Sequence, residues 1–287
     1  MSLQAAGTVK LGADLTVFRL GYGAMRLTGD GIWGPPKDHA QALAVLRRAV
    51  ELGVNFIDTA DSYGPNVNEE LIAEALSPYP KGLVIGTKAG WTRGGPGMWG
   101  HNATPPYLKQ SVEGSLKRLK LERIDLFQLH IPDPMVAIED SLEALVDMQK
   151  QGKIRHIGLS NVTREHIERA RKVCPIVSVQ NRYSFADREW DYVVDYCEKN
   201  DIVFIPWFPL AAGQAGMEMV HKVANAHKAT PMQVALAWLL QRSPKMLTIP
   251  GTSSVKHLNE NLGAPDLRLS KEEYDELANA QELTFSR

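Results

Sequence analysis

Eight short apolar runs are spaced along the chain, and stretches of helical period lie between them. No other feature constrains the fold as strongly. The runs are LGYGAM, VNFID, LVIGTK, IDLFQLH, IRHIGLS, IVSVQN, IVFIPW and MLTIPG. The amphipathic stretches cover residues 40–52, 67–76, 105–119, 138–151, 164–173, 189–200, 231–241 and 255–262. Strand and helix in strict alternation make every strand parallel to the last, and eight such pairs close into a (β/α)8 barrel, an α/β fold of the TIM type.

Local punctuation agrees. Thr104 before Pro105-Pro106, and Thr230 before Pro231, are N-caps with proline in the first turn. Gly53 and Gly152 follow helical runs, where a left-handed cap favours glycine. Residues 8–19 predict a β-hairpin turning at Gly12-Ala13-Asp14. Residues 270–281 predict a last helix opened by a capping box from Ser270 to Glu273. We expect one domain over 1–287, with the hairpin at 8–19, the barrel at 20–262 and the final helix at 270–281. An open doubly wound sheet is the alternative. Against it, Gly21-x-Gly23 runs on into Ala24-Met25-Arg26, without the third glycine of a dinucleotide fingerprint.

Charge narrows the partners. The net charge is −1, with no basic stripe, so neither nucleic acid nor an anionic membrane is expected as a partner. No apolar stretch approaches the roughly 20 residues that span a bilayer, and residues 1–20 lack the order of a signal peptide. The two cysteines, Cys174 and Cys197, have no metal-ligand spacing and are expected to be free thiols of a cytoplasmic enzyme.

Barrel chemistry sits where strands run out at their C-terminal ends. Those ends carry Asp58, Lys88, His130, Ser160-Asn161, Gln180-Asn181 and Trp207, with Tyr63 five residues beyond Asp58. Singly, such residues are ordinary caps, solvated lysines or loop aromatics. Together, they put an acid, a base and an imidazole side by side where burying charge costs several kcal/mol unless paired. A phenol with a reference pKa near 10 is a weak acid, and a neighbouring ammonium is expected to lower it. Asp58 would hold Lys88, and His130 would hydrogen-bond a substrate oxygen beside Tyr63. Such a set gives a proton to a carbonyl oxygen as it becomes an alkoxide. The eight histidines are scattered, with no His-x-x-x-His or Cys-x-x-Cys spacing, so no metal is expected and an organic hydride donor is the economical electron source.

FIDTADSYG, IGTKAG, FQLH, GKIRHIGLSN, SVQNRYS and IPGTSSVKHLNENLGA, in this order, resemble the aldo-keto reductase family nearly end to end. The resemblance implies the barrel, a hairpin closing its base, and a catalytic tetrad of Asp58, Tyr63, Lys88 and His130 with Tyr63 as proton donor. It implies that Ser160, Asn161 and Gln180 hold the nicotinamide carboxamide, with Asp58 counted on the cofactor side too. Trp207 stands where the family stacks an aromatic on the ring, and Gly23, Ala24, Met25 and Leu210 would line the cofactor. Thr252, Ser253, Ser254, His257, Glu260 and Asn261 fall in the adenosine-phosphate segment. There the chain departs from the better-known branch: Gly251 and His257 stand where many members carry lysine and arginine. Hydroxyls with Lys256 nearby still favour NADP(H), with NAD(H) as the second choice.

The loop 89–104, AGWTRGGPGMWGHNAT, reads as a mobile lid bringing Trp91 or Trp99 to a pocket that also includes Trp33, Tyr63 and His130. Aromatic walls favour flat or apolar carbonyls. Little chain follows the last helix, so an open site is expected. GDGIWGPPKDH is similar to a bacterial branch with pyridoxal reductases, making pyridoxal a candidate substrate. The leading expectation is therefore a reversible NAD(P)H-dependent carbonyl reductase acting on a small molecule. The alternative is a cofactor-binding regulatory subunit like those of potassium channels.

Overall fold

The computed structural model describes residues 3–209 and 214–280. Leu210 and residues 281–287 therefore lie outside the described residues. The N-terminal hairpin forms as the sequence predicts: β1 (Thr8–Leu11) pairs antiparallel with β2 (Leu15–Phe18). Then follow β3 (Tyr22–Gly23), α1 (His39–Glu51), β4 (Phe56–Asp58), α2 (Val67–Leu76) and β5 (Val84–Ala89). A second hairpin, β6 (Trp91–Gly95) and β7 (Met98–His101), stands apart from the main sheet. Next come α3 (Pro105–Leu119), β8 (Ile124–Leu129), α4 (Ile138–Lys150), β9 (Ile154–Ser160), α5 (Arg164–Val173), β10 (Ile176–Arg182), α6 (Asp191–Lys199) and β11 (Val203–Trp207). The chain continues through α7 (Gln214–His227), α8 (Pro231–Arg242), α9 (Val255–Leu262) and α10 (Lys271–Asn279).

Seven strands form one parallel sheet in the order β11-β10-β9-β8-β5-β4-β3. The eighth apolar run, MLTIPG, forms no strand of its own, yet it closes the cylinder. It bridges Phe204 through Met246 and Leu20 through Thr248, both parallel. Leu247 N donates to Phe204 O at 2.9 Å, and Thr248 N donates to Arg19 O at 2.9 Å. The run switches partners within three residues, and Pro250 has no N–H to continue the ladder. At this seam the backbones nearly touch: a Cβ on Gly23 would lie 2.6 Å from Ile249 O.

The first hairpin seals the base. Val9, Leu11, Leu15 and Val17 pack with Phe56, Val84 and Val203, the first residues of β4, β5 and β11. The helices cover the outer face through two larger apolar clusters. Helix ends follow their signals. Thr230 accepts from Gln233 N in a capping box, and Ser270 forms the predicted box with Glu273. Gly53 and Gly152 have φ of 92° and 78°. Thr104 occupies the N-cap of α3, but its side chain makes no cap bond and donates instead to Asn102 Oδ1 at 2.7 Å. Cys174 and Cys197 are free and buried.

Two further elements differ from the sequence expectation. Helix α7 was absent from the reading, which passed straight from β11 to the Pro231 helix; its buried Val220, Val223 and Ala224 repeat at helical spacing. The glycine-rich 89–104 segment is a paired hairpin and not an irregular loop.

Candidate active site

The climb of one short segment explains why a tyrosine follows Asp58 at five residues. Beyond β4, Thr59 N donates to Gly86 O at 2.8 Å and Asp61 N to Lys88 O at 3.1 Å. The chain thus rides up the edge of β5 and carries Tyr63 over the end of that strand. Asn68 anchors the turn, accepting from Thr59 Oγ1 at 2.7 Å and donating to Ala24 O at 2.8 Å. Lys88 Nζ donates to Asp58 Oδ2 at 2.7 Å and to Thr59 O at 2.7 Å. It also meets the Tyr63 hydroxyl, and lies 5.2 Å from that ring's centroid. Lys88 is 0% exposed and Asp58 3% exposed. His130, which follows β8, donates its N–H to Ala89 O at 2.8 Å, and its ring stands 5.8 Å from that of Tyr63 at 79°. The four residues singled out by strand-end position therefore converge on one cleft.

Their electrostatics correct one expectation. Burial raises the Tyr63 hydroxyl above its usual value, and the Lys88 charge only partly opposes this, so the phenol is not acidified. Burial pushes the Lys88 ammonium down, but Asp58 and Tyr63 together carry it above its usual value. Burial first, and the Lys88 charge second, hold the His130 imidazole well below its usual 6.5, so it is neutral near pH 7. Its Nδ1 is buried and meets no hydrogen-bonding partner among the described residues.

The next ring of polar groups lies against this cleft. Gln180 Nε2 donates to Asp58 Oδ1 at 2.8 Å. Asn161, at φ 57°, donates from Nδ2 to His130 O at 2.9 Å and to Ser160 Oγ at 3.1 Å. Asn181 turns away to bond the backbone of Val162. Trp207 ends β11, half-exposed beside Phe208. Leu210, expected at the cofactor, is outside the described residues. Thr252 is held by Tyr22 Oη, which donates to its carbonyl at 2.6 Å, and Thr252 Oγ1 accepts from Ser254 N at 3.1 Å. Ser254 caps α9 by accepting from His257 N at 3.4 Å. Asn261 is buried, while Glu260 lies 3.8 Å from an exposed Lys256.

The aromatic residues form a linked wall. Trp91 stands 6.5 Å from His130 and 5.7 Å from Trp99, and the Arg93 guanidinium lies 3.7 Å from Trp99 and 5.7 Å from Trp33. A cavity of about 800 Å³ opens between Trp99, the 25–32 turn, the start of α1 and Gly251–Ser253. Arg26 lines it. The sequence reading stopped at Met25 and passed over this residue, although it is a cation directly beyond the first strand end. Arg26 is exposed and has no ion-pair or hydrogen-bond partner among the described residues, and its Cγ would be 3.4 Å from a Cβ on Gly251.

A closed parallel barrel with this buried Asp-Lys-Tyr-His group at its mouth defines an oxidoreductase of the barrel type. The model of the aldo/keto reductase family matches residues 19–282, and the chain belongs to that family. It is 49% identical to an uncharacterized oxidoreductase of Schizosaccharomyces pombe over 95% of this chain and 89% of the relative. It is 46% identical to pyridoxine 4-dehydrogenase of Escherichia coli over 93% of this chain and 96% of the relative. An aldo-keto reductase from Klebsiella pneumoniae, solved with NADPH, superposes with TM-score 0.79 at 25% identity, covering 94% of this chain and 93% of that one. The chain is thus an oxidoreductase of the aldo/keto reductase family. Among the described residues, no helix is long and apolar enough to cross a membrane.

Proposed function

We propose that this reductase takes flat aromatic aldehydes of the pyridoxal type, with NADP(H) preferred over NAD(H), and runs in reverse as an alcohol dehydrogenase. The observation that carries the reading is the buried contact of Lys88 with both Asp58 and Tyr63, beside a neutral His130. The residues present fit the cofactor. Ser160, Asn161 and Gln180 offer amide and hydroxyl groups at one rim, and the partly exposed Trp207 offers an aromatic ring for stacking. When bound, NADPH supplies a hydride to the carbonyl carbon.

The chain's own residues do the rest. His130, as a neutral donor, orients the substrate oxygen beside Tyr63. The Tyr63 phenol gives its proton to that oxygen as negative charge develops there. The phenolate left behind faces the Lys88 ammonium, which Asp58 keeps charged and fixed. Burial keeps Tyr63 protonated between turnovers, and the Lys88 charge lowers the cost of the phenolate when the proton leaves. Tyr63 then recovers a proton from solvent.

Arg26 favours a phosphorylated cofactor. It supplies a free cation against Gly251, beside the hydroxyls of Thr252 and Ser253, where position 251 itself contributes none. Three tryptophans along the cleft, and the 46% identity to pyridoxine 4-dehydrogenase, support a flat ring-bearing substrate. Titration with NADPH should quench Trp207 fluorescence. Turnover of pyridoxal should exceed that of aliphatic aldehydes. Tyr63→Phe should cut kcat by about 10²–10⁴-fold while NADPH still binds. Full activity in that variant removes Tyr63 from its role. Tight NADPH binding with no turnover of any aldehyde returns the regulatory-subunit reading.

A further inference from the structure

Arg93 uses its guanidinium in an unusual way for a cleft residue. Nη1 donates to Ile32 O at 2.7 Å and Ser62 O at 3.1 Å, and Nη2 donates to Gly31 O at 2.7 Å and Gly95 O at 3.4 Å. Nε donates to Met98 O at 3.2 Å. The acceptors belong to three separate segments: the 27–37 loop, the turn that carries Tyr63, and the β6–β7 hairpin itself. The guanidinium plane is covered by Trp99 at 3.7 Å and approached by Trp33 at 5.7 Å. No carboxylate pairs with it among the described residues. Only arginine offers five N–H groups in a rigid planar fork that also stacks on indole.

The neighbouring backbone makes the same join. Gly34 N donates to Gly64 O at 2.6 Å, and Gly97 N donates to Gly31 O at 3.2 Å. Trp91 lies two residues away on the same strand, with its ring facing His130.

We propose that Arg93 is a positioning and specificity-determining residue: it fastens the β6–β7 hairpin and the 27–37 loop into one fixed aromatic wall over Tyr63 and His130, which selects flat aromatic carbonyls. The hairpin is therefore a fastened wall and not a swinging cover. This inference rests on the carbonyl-reductase reading above. The hairpin lies outside the barrel sheet, so loosening it leaves the barrel's own hydrogen bonds intact.

The test compares Arg93→Met and Arg93→Lys with the parent protein in NADPH-dependent reduction of 4-nitrobenzaldehyde and propanal. In Arg93→Met, kcat/KM for 4-nitrobenzaldehyde should fall at least about tenfold, mostly through KM, and propanal should change less than about threefold. NADPH affinity, read by tryptophan quenching, should stay within about twofold. Arg93→Lys should restore little, because an ammonium cannot reach carbonyls on three segments at once. Should Arg93→Met fail to fold, Arg93→Gln, whose single amide cannot join three segments at once, should show the same selective loss. Equal losses on both aldehydes, parental constants, or full rescue by lysine would overturn the proposal. A parent protein that reduces neither aldehyde sinks the reductase reading instead.

Discussion

Asp58 divides its carboxylate between two partners: Oδ2 accepts from Lys88 Nζ at 2.7 Å and Oδ1 accepts from Gln180 Nε2 at 2.8 Å. One buried acid thereby ties Lys88, in the proposed proton-transfer pair, to a strand end proposed to hold the nicotinamide. Asp58→Asn keeps the shape and removes the charge, leaving the Lys88 ammonium buried without its counter-ion. Breaking such a pair costs about 3–5 kcal/mol. Urea unfolding should show that loss, and kcat should fall by about 10²-fold as Lys88 becomes easier to deprotonate.

The pH profile follows from the two directions of shift. The ordinary values are 6.5 for the His130 imidazole, held well below it here, and 10.0 for the Tyr63 phenol, held above it. Under the proposed mechanism, reduction needs neutral His130 and protonated Tyr63, and both forms persist across the span between those values. kcat/KM for reduction should be flat there. A loss of activity centred near pH 7 would contradict the assignment.

Asp61, two residues before Tyr63, is buried near the Glu69 carboxylate. Burial first, and the Glu69 charge second, push its carboxyl up from 3.8 to about 8, while Arg118 and Ser111 oppose them. Its Oδ1 meets no partner among the described residues. The folded state holds this proton where the unfolded chain has released it. Stability from this group is therefore fully present below about pH 4 and is lost as pH rises toward about 8. Asp61→Asn should flatten that slope and raise stability at pH 8 by a few kcal/mol at most, measured as melting temperature across pH.

Arg26→Ala tests the cofactor cation. KM for NADPH should rise about tenfold or more and KM for NADH by less than about threefold, since a charge-assisted bond to a phosphate is lost only with the former. Equal changes for both cofactors would place Arg26 away from the distinguishing phosphate.

Much of the architecture was legible because its signals are local. The bounds of α2, α3, α5 and α9 coincide with the apolar period, and the hairpin turns at Gly12-Ala13-Asp14 as predicted. Asp58, Lys88 and His130 could be found because strand ends in a parallel barrel share one rim. What was not legible depends on tertiary context. MLTIPG reads as a strand, but its partners on either side divide it into single bridges. Glycine-rich 89–104 reads as a loop until cross-strand pairing and Arg93 stiffen it. The direction of the Tyr63 shift needed the extent of burial, which spacing alone does not provide.

The seam between the first and last barrel segments sets a condition on biosynthesis. Thr248 bonds to Arg19 across 229 residues of chain, so the cylinder cannot shut until nearly the whole polypeptide has emerged. At about 5–20 residues per second, a nascent chain spends roughly 10–50 s with the outer edge of β3 unpaired and roughly 2–10 s with that of β11 unpaired. Open parallel edges recruit other strands. In the cell, the yield of this enzyme therefore depends on what shields those two edges on the ribosome before residue 248 arrives.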